Sequence, residues 1–167
     1  MKLIKPTKKY EQSWKAALAE FQAEERKGFW NWEKEPDNLD DYMKQTRNNE
    51  KGKGLSESFV PSTTYWLIDN DEFVGHTNIR HKLNEHYRKI GGHIGYYIRP
   101  SARKKGYGTK ILKLALKKAR RLGLKKVLIT CDESNIASQK VIEKNKGKFQ
   151  DKIPSDPEPK LRYWIEL

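Results

Sequence analysis

Apolar positions along this chain recur with two different periods, and the change from one to the other divides it into elements. Leu3-Ile4 predicts a short strand that Pro6 ends. From about Lys9 to Lys27, Trp14, Ala17, Leu18 and Phe21 fall at helical spacing, and Gly28 stands where a C-cap would. Phe29-Trp30-Asn31-Trp32 reads as an aromatic loop. Pro36-Asp37 opens a second helix with an acidic first turn and a stripe of Leu39, Tyr42 and Met43. Asn48 to Ser58 is polar and aperiodic, as an exposed loop is. Thr63 to Ile68 and Phe73 to Ile79 are β-branched and aromatic runs separated by Asp69-Asn70-Asp71, which predicts a hairpin. Asn84 to Lys89 reads as a polar connection, and Gly91 to Ile98 as a strand stopped before Pro100. Gly108, Ile111, Leu112, Ala115, Ala119 and Leu122 share one face of a helix that Gly123 caps. Lys126 to Thr130 is continuously apolar, the pattern of a strand covered on both faces. A helix over Asn135 to Asn145, a short strand at Lys148 to Gln150 and a last strand over Lys160 to Leu167 complete the chain. The proline-stiffened loop Pro154 to Pro159 separates those two strands.

Strands and helices mix along 167 residues with no repeat and no long linker. The expectation is a single domain over 1–167 of α/β (α+β) class. Its mixed central sheet would have about six to seven strands, flanked by about four helices. No apolar run is long enough to cross a bilayer, and the N-terminus lacks a signal-peptide core, so a cytoplasmic protein without a membrane partner is expected. One cysteine, Cys131, excludes an intramolecular disulfide framework and a Cys-rich zinc site; no metal is expected.

Charge sharpens this picture. Net charge is +13, and Arg103 to Lys126 holds 11 basic residues and no acidic one. Glu11 to Asp41 goes the other way, with nine acidic residues against four basic. A localised basic stretch points to a localised anion, whether nucleic acid, membrane surface or polyphosphate cofactor, or else to a plain solvated helix face. The loop Arg103-Lys104-Lys105-Gly106-Tyr107-Gly108-Thr109 narrows the choice, because it joins a strand to a helix N-terminus. Unpaired amides, the positive end of the helix dipole and adjacent cations make a phosphate site there. Neither a Walker loop nor a three-glycine dinucleotide fingerprint is present.

Ile98-Arg99-Pro100-Ser101-Ala102-Arg103-Lys104-Lys105-Gly106-Tyr107-Gly108 resembles the acetyl-CoA signature of the GNAT superfamily of N-acetyltransferases. Asn135-Ile136-Ala137-Ser138, followed by Gly147-Lys148-Phe149, is similar to that family's second motif. The resemblance is firm from about Gly91 to Gln150 and looser from Thr64 to Ile79. It implies a cleft for acetyl-CoA between two strands that splay apart. Pyrophosphate would lie on the amides of Arg103, Lys104, Lys105, Gly106, Tyr107, Gly108 and Thr109, with Lys104, Lys105 and Lys110 side chains meeting phosphate charge. Pantetheine would pair with backbone at Tyr96 and Ile98, the N–H near Tyr96 would polarise the thioester carbonyl, and Asn135 and Ser138 would line the arm.

The resemblance also implies where a base should stand, on the strand before the signature, and that place holds His93. A neutral imidazole suits the task near pH 7, while the alternative is a histidine packed beside Gly91 and Gly92. The family's usual tyrosine acid falls at Ile142 here, which leaves Ser138 and Tyr97 as substitutes. Cys131 is a nucleophile or inert packing. The loops that close over the acceptor would be Phe29 to Glu33 and Pro154 to Pro159. Trp30, Trp32 and Glu33 would form an acidic, aromatic mouth for a cationic amine, together with Glu35, Asp37, Asp156 and Glu158. Arg80 is a candidate to hold a carboxylate on the acceptor. The expected function is acetyl transfer from acetyl-CoA to a primary amine by a monomer or homodimer. The rivals are a non-catalytic acyl-CoA sensor and a basic nucleic-acid-binding module. No helix-turn-helix, zinc finger or aromatic RNA-binding pattern supports the second, so no specific nucleic-acid partner is expected.

Overall fold

Alternation along the central hairpin builds the molecule. The computed structural model describes residues 1–24 and 38–167. Strand β2 (Ser62–Asp69) and strand β3 (Glu72–Arg80) pair antiparallel around the expected turn, where Asn70 and Asp71 take positive φ. Successive side chains of β2 point to opposite faces. Tyr65 and Leu67 enter one core, and Trp66 and Ile68 enter another. Strand β1 (Lys2–Ile4) covers the outer edge of β2, and β4 (Ile94–Ile98) pairs with β3, giving the order β1-β2-β3-β4. Gly91 and Gly92, read from the sequence as part of β4, take positive φ and form a turn ahead of it. Strands β5 (Lys126–Asp132), β6 (Lys148–Ile153) and β7 (Lys160–Glu166) form a second sheet in the order β5-β7-β6.

The expected single mixed sheet is therefore two sheets of four and three strands in which every ladder is antiparallel. Strands β4 and β5 share no ladder. The two strands meet at His93 and Leu128, where the His93 N–H donates to the Leu128 carbonyl at 2.7 Å.

Five α-helices cover the strands among the described residues. Helix α1 (Glu11–Gln22) follows a 3-10 turn at Lys8–Tyr10 and buries Trp14, Ala17, Leu18 and Phe21. It stops at Gln22, short of the expected Lys27; Gly28 lies outside the described residues. Helix α2 (Leu39–Glu50) is capped by Asn38, whose side chain accepts from the Asp40 N–H at 2.7 Å. Its last turn takes in residues read from the sequence as loop, because Glu50 receives Lys5 Nζ at 2.7 Å and Thr63 Oγ1 at 3.3 Å. The polar connection after β3 holds a five-residue helix α3 (Glu85–Lys89), which Asn84 starts by accepting from the Tyr87 N–H.

On the opposite side, α4 (Tyr107–Arg121) buries Ile111, Leu112, Ala115 and Ala119, while Leu122, expected on the same face, is exposed. Helix α5 (Ile136–Lys144) packs beside α4 and inserts Ile142. The strands thus lie between α1 and α2 on one side and α4 and α5 on the other, with one hydrophobic core in each gap. No helix among the described residues is long and apolar enough to cross a membrane.

Candidate active site

The site lies where β4 and β5 part. Arg99 N–H donates to the Val74 carbonyl and Arg80 N–H to the His93 carbonyl, which fixes the phase of the β3–β4 ladder. Alternate residues of an antiparallel strand bond to one neighbour, so odd-numbered residues of β4 face β3. The backbone groups of Ile94, Tyr96 and Ile98 then lie on the edge toward β5. At Ile98 the carbonyl accepts Arg103 Nε at 3.1 Å, which leaves its N–H for a further partner.

The open end of this cleft meets the Gly-rich loop. Gly106 is the N-cap of α4 at φ 81°, a conformation open to glycine and costly for other residues, and Lys104 stands at φ 61°. Lys110 is the first residue of the helix whose N–H returns to the loop, to the Gly106 carbonyl at 3.3 Å. The amides from Lys104 to Thr109 precede it, at the positive end of the helix dipole. Lys104, Lys105 and Lys110 are exposed around them.

Arg103 differs from its neighbours. Its guanidinium is engaged by Glu24 at the end of α1, with Nη2 at 2.8 Å, and its own N–H donates to the Pro100 carbonyl. Glu20, one turn earlier, takes Arg99 Nε at 2.6 Å and the Ser101 N–H at 3.0 Å. Arg103 therefore braces the loop against α1. Tyr107 anchors the same loop to the β2 end, its hydroxyl donating to Asp69 at 2.9 Å. Gly108 has a packing role: a Cβ there would stand 3.0 Å from Val141 Cγ2, so its absence lets α5 lie close to α4.

The cleft wall formed by α5 carries the second motif. Asn135 caps α5, its Oδ1 accepting from the Ser138 N–H at 3.0 Å. The Ser138 hydroxyl lies 2.8 Å from the Tyr96 hydroxyl, which reaches across from β4. Burial raises the Tyr96 phenol above its ordinary value, so it stays protonated and able to donate at neutral pH. Sequence reasoning used only the backbone of Tyr96. Its side chain was missed because the partner lies 42 residues away on another element. Ile142, where the family tyrosine would be, is fully buried in the core. The Cys131 thiol is pushed up to about 12, by burial first and by Asp132 second, which keeps it protonated and a poor nucleophile at neutral pH.

His93 is buried, and its Nδ1 accepts the Leu128 N–H at 2.9 Å. Burial, with Arg80 and Arg88 nearby, lowers its pKa to about 4. A neutral imidazole that accepts at Nδ1 carries its proton on Nε2, so the basic lone pair is already spent on β5. Arg80 points the same way: its Nη1 donates to the carbonyls of Gly91 and Gly92, both at 3.0 Å, and its guanidinium stacks 4.0 Å from the Tyr87 ring centroid. Glu158 is tied to Ser134, accepting its N–H and hydroxyl at 2.9 Å. Trp30, Trp32 and Glu33 lie outside the described residues.

A strand pair that parts beside the basic N-terminus of α4 is the arrangement that the sequence resemblance implies for an acyltransferase. The chain matches the model of the acetyltransferase (GNAT) domain over residues 8–148, and it belongs to that family. Solved structures share the fold. One is the microcin C7 self-immunity acetyltransferase MccE in complex with acetyl-CoA and AMP, with TM-score 0.73 and 13% identity over 99% of this chain and 91% of that one. Another is RimL, the ribosomal L7/L12 alpha-N-protein acetyltransferase, in complex with coenzyme A, with TM-score 0.73 and 14% identity over 99% and 93%. A third is YncA, a putative acetyltransferase from Salmonella typhimurium with acetyl-CoA, with TM-score 0.68 and 12% identity over 99% and 91%. Comparison with curated proteins found no match.

Proposed function

We propose that the protein transfers the acetyl group of acetyl-CoA directly to a primary amine of a small molecule or peptide in the cytoplasm. The observation that carries this reading is the edge of β4 left open toward β5, leading to the amides of Lys104 to Thr109. Those amides, with Lys104, Lys105 and Lys110, receive the pyrophosphate and the other phosphate charge of the cofactor. The backbone of Tyr96 and the N–H of Ile98 pair with the pantetheine arm as a neighbouring strand would, and the N–H at Tyr96 polarises the thioester carbonyl.

The neutral amine attacks that carbonyl carbon, the C–N bond forms, and the C–S bond breaks. Ser138, hydrogen-bonded to the Tyr96 hydroxyl, donates a proton to the departing thiolate. Water takes the proton that the amine releases. The raised Cys131 thiol supports direct transfer over an acetyl-enzyme route.

Calorimetry with acetyl-CoA, followed by a free-thiol assay against a panel of amines, tests the reading. Reversing the charge of Lys104 and Lys110 together should weaken acetyl-CoA binding by about 10-fold or more, roughly 1.4 kcal/mol. The thermal midpoint should hold, because both residues are exposed. Ser138→Ala should lower kcat by roughly 10-fold, below the usual range for a general acid because Tyr96 remains. Its acetyl-CoA affinity should stay near that of the parent. A protein that binds no acetyl-CoA, or one that binds it and acetylates nothing in a broad panel, would defeat the proposal.

A further inference from the structure

The closed end of the cleft is held chiefly by three residues. His93 makes two bonds to one residue of β5: its N–H donates to the Leu128 carbonyl at 2.7 Å, and its Nδ1 accepts the Leu128 N–H at 2.9 Å. The side chain thus supplies the acceptor that a backbone carbonyl would supply in a regular ladder. Gly92 makes the approach possible. A Cβ at Gly92 would stand 2.3 Å from the Leu128 carbonyl oxygen, and its φ is 57°. Arg80, on β3, holds the same turn from behind through the carbonyls of Gly91 and Gly92, and its own N–H donates to the His93 carbonyl. Thr130, two residues along β5, accepts the Gly91 N–H at 2.9 Å through its hydroxyl.

We propose that Arg80, Gly92 and His93 form a clasp that fixes where β4 leaves β5, and that His93 serves acetyl transfer as a positioning residue through its Nδ1 bond to Leu128. The inference rests on the reading of the cleft as the acetyl-CoA site. The point of departure sets how far the edge at Tyr96 stands from β5, and so whether a thioester fits with its carbonyl at the Tyr96 N–H. Bond-making there is sensitive to displacements of an ångström. The groups around the imidazole favour the acceptor form: Arg80 and Arg88 are cationic, and the Trp164 ring, 6.2 Å away between centroids, carries the Lys126 cation on its face. A proton on Nδ1 would break the clasp, since imidazolium has no acceptor.

Three substitutions separate this role from that of a base. In His93→Asn, Oδ1 stands two bonds from Cβ, as Nδ1 does, so the acceptor is kept and the titrating ring is lost. His93→Gln places its acceptor one bond further out, and His93→Ala removes it. Acetyl-CoA affinity, kcat, the pH profile and amide hydrogen exchange at Leu128 are measured on each. The clasp predicts that His93→Asn keeps affinity and kcat within about 3-fold of the parent, a difference near RT in free energy. It also predicts a protected Leu128 amide and a pH profile unchanged above about pH 5, because the ring in the fold takes up its proton only near 4. His93→Gln and His93→Ala should lose affinity and kcat/KM together by about 10-fold or more, with faster exchange at Leu128.

A His93→Asn protein that binds acetyl-CoA normally, loses activity and loses the low-pH limb would overturn the clasp in favour of a base. So would a Leu128 amide equally protected in all variants. If His93→Ala does not fold, the Asn and Gln variants decide. Exchange at Leu128 needs no ligand, so a parent protein that fails to bind acetyl-CoA would sink the functional reading and leave the clasp to be judged on exchange.

Discussion

Two glycines near the cleft carry opposite constraints, and substitution tells them apart. Gly106 needs its positive φ, yet a Cβ there meets nothing within 4 Å. Gly106→Ala should therefore cost only the left-handed backbone penalty of about 1–2 kcal/mol. Gly92 combines a positive φ with a backbone oxygen that cannot yield. Gly92→Ala should cost more than about 3 kcal/mol, or prevent folding, since strain and a backbone clash add. Equilibrium unfolding in urea measures both, and equal losses would contradict the geometry. Single residues were the hardest level to read from sequence. Gly91, Gly92 and His93 read as the start of a plain strand, because Leu128 lies 35 positions away and nothing local names it as the partner. Arg80 looked equally free for a ligand until the turn at Gly91 folded onto it.

Helix α5 depends on the residue that caps it. Asn135 satisfies the Ser138 N–H at the very turn that presents the Ser138 hydroxyl to Tyr96. Asn135→Ala should cost about 1 kcal/mol, the usual loss for a cap, and lower the thermal midpoint by roughly 2–4 °C. Differential scanning calorimetry checks it; an unchanged midpoint would mean the cap adds nothing to stability. Elements were far more legible than their partners. The apolar spacing from Gly108 to Ala119 is set within one helix, so it predicted the buried face of α4 directly. Helix α3 escaped notice because one buried Tyr87 among four charged or polar residues displays no periodicity, and its start rests on one Asn84 side chain. The parting of β4 from β5 was implied by the family resemblance, as a splayed strand pair, and by nothing in the local apolar pattern.

Across the whole molecule, buried histidines tie stability to pH. His76 is pushed down to about 3 and His93 to about 4, in both cases by burial first. The unfolded chain takes up these protons near pH 6.5 and the folded one does not. The contribution is thus complete above about 6.5 and declines as pH falls toward 4 and then 3. Glu20 and Asp151, held below the ordinary carboxylate range by Ser101 with Arg99 and by Arg162 respectively, act in the same direction at the acid end. The thermal midpoint should be flat from about pH 7 to 8 and fall progressively below about pH 6.5. A midpoint unchanged down to pH 4 would show that these rings are not kept neutral by the fold.

The unmatched edge of β4 has a consequence for the protein as a material. Beyond His93 the cleft is a seam in which one sheet ends facing another without being joined to it. An edge strand with unused amides is a template for any extended chain, including a second molecule. A bound acyl carrier lying along Tyr96 and Ile98 would act as the absent strand. Its concentration would then govern how long the protein resists self-association and thermal unfolding, so that the co-substrate also serves as a keeper of the folded state.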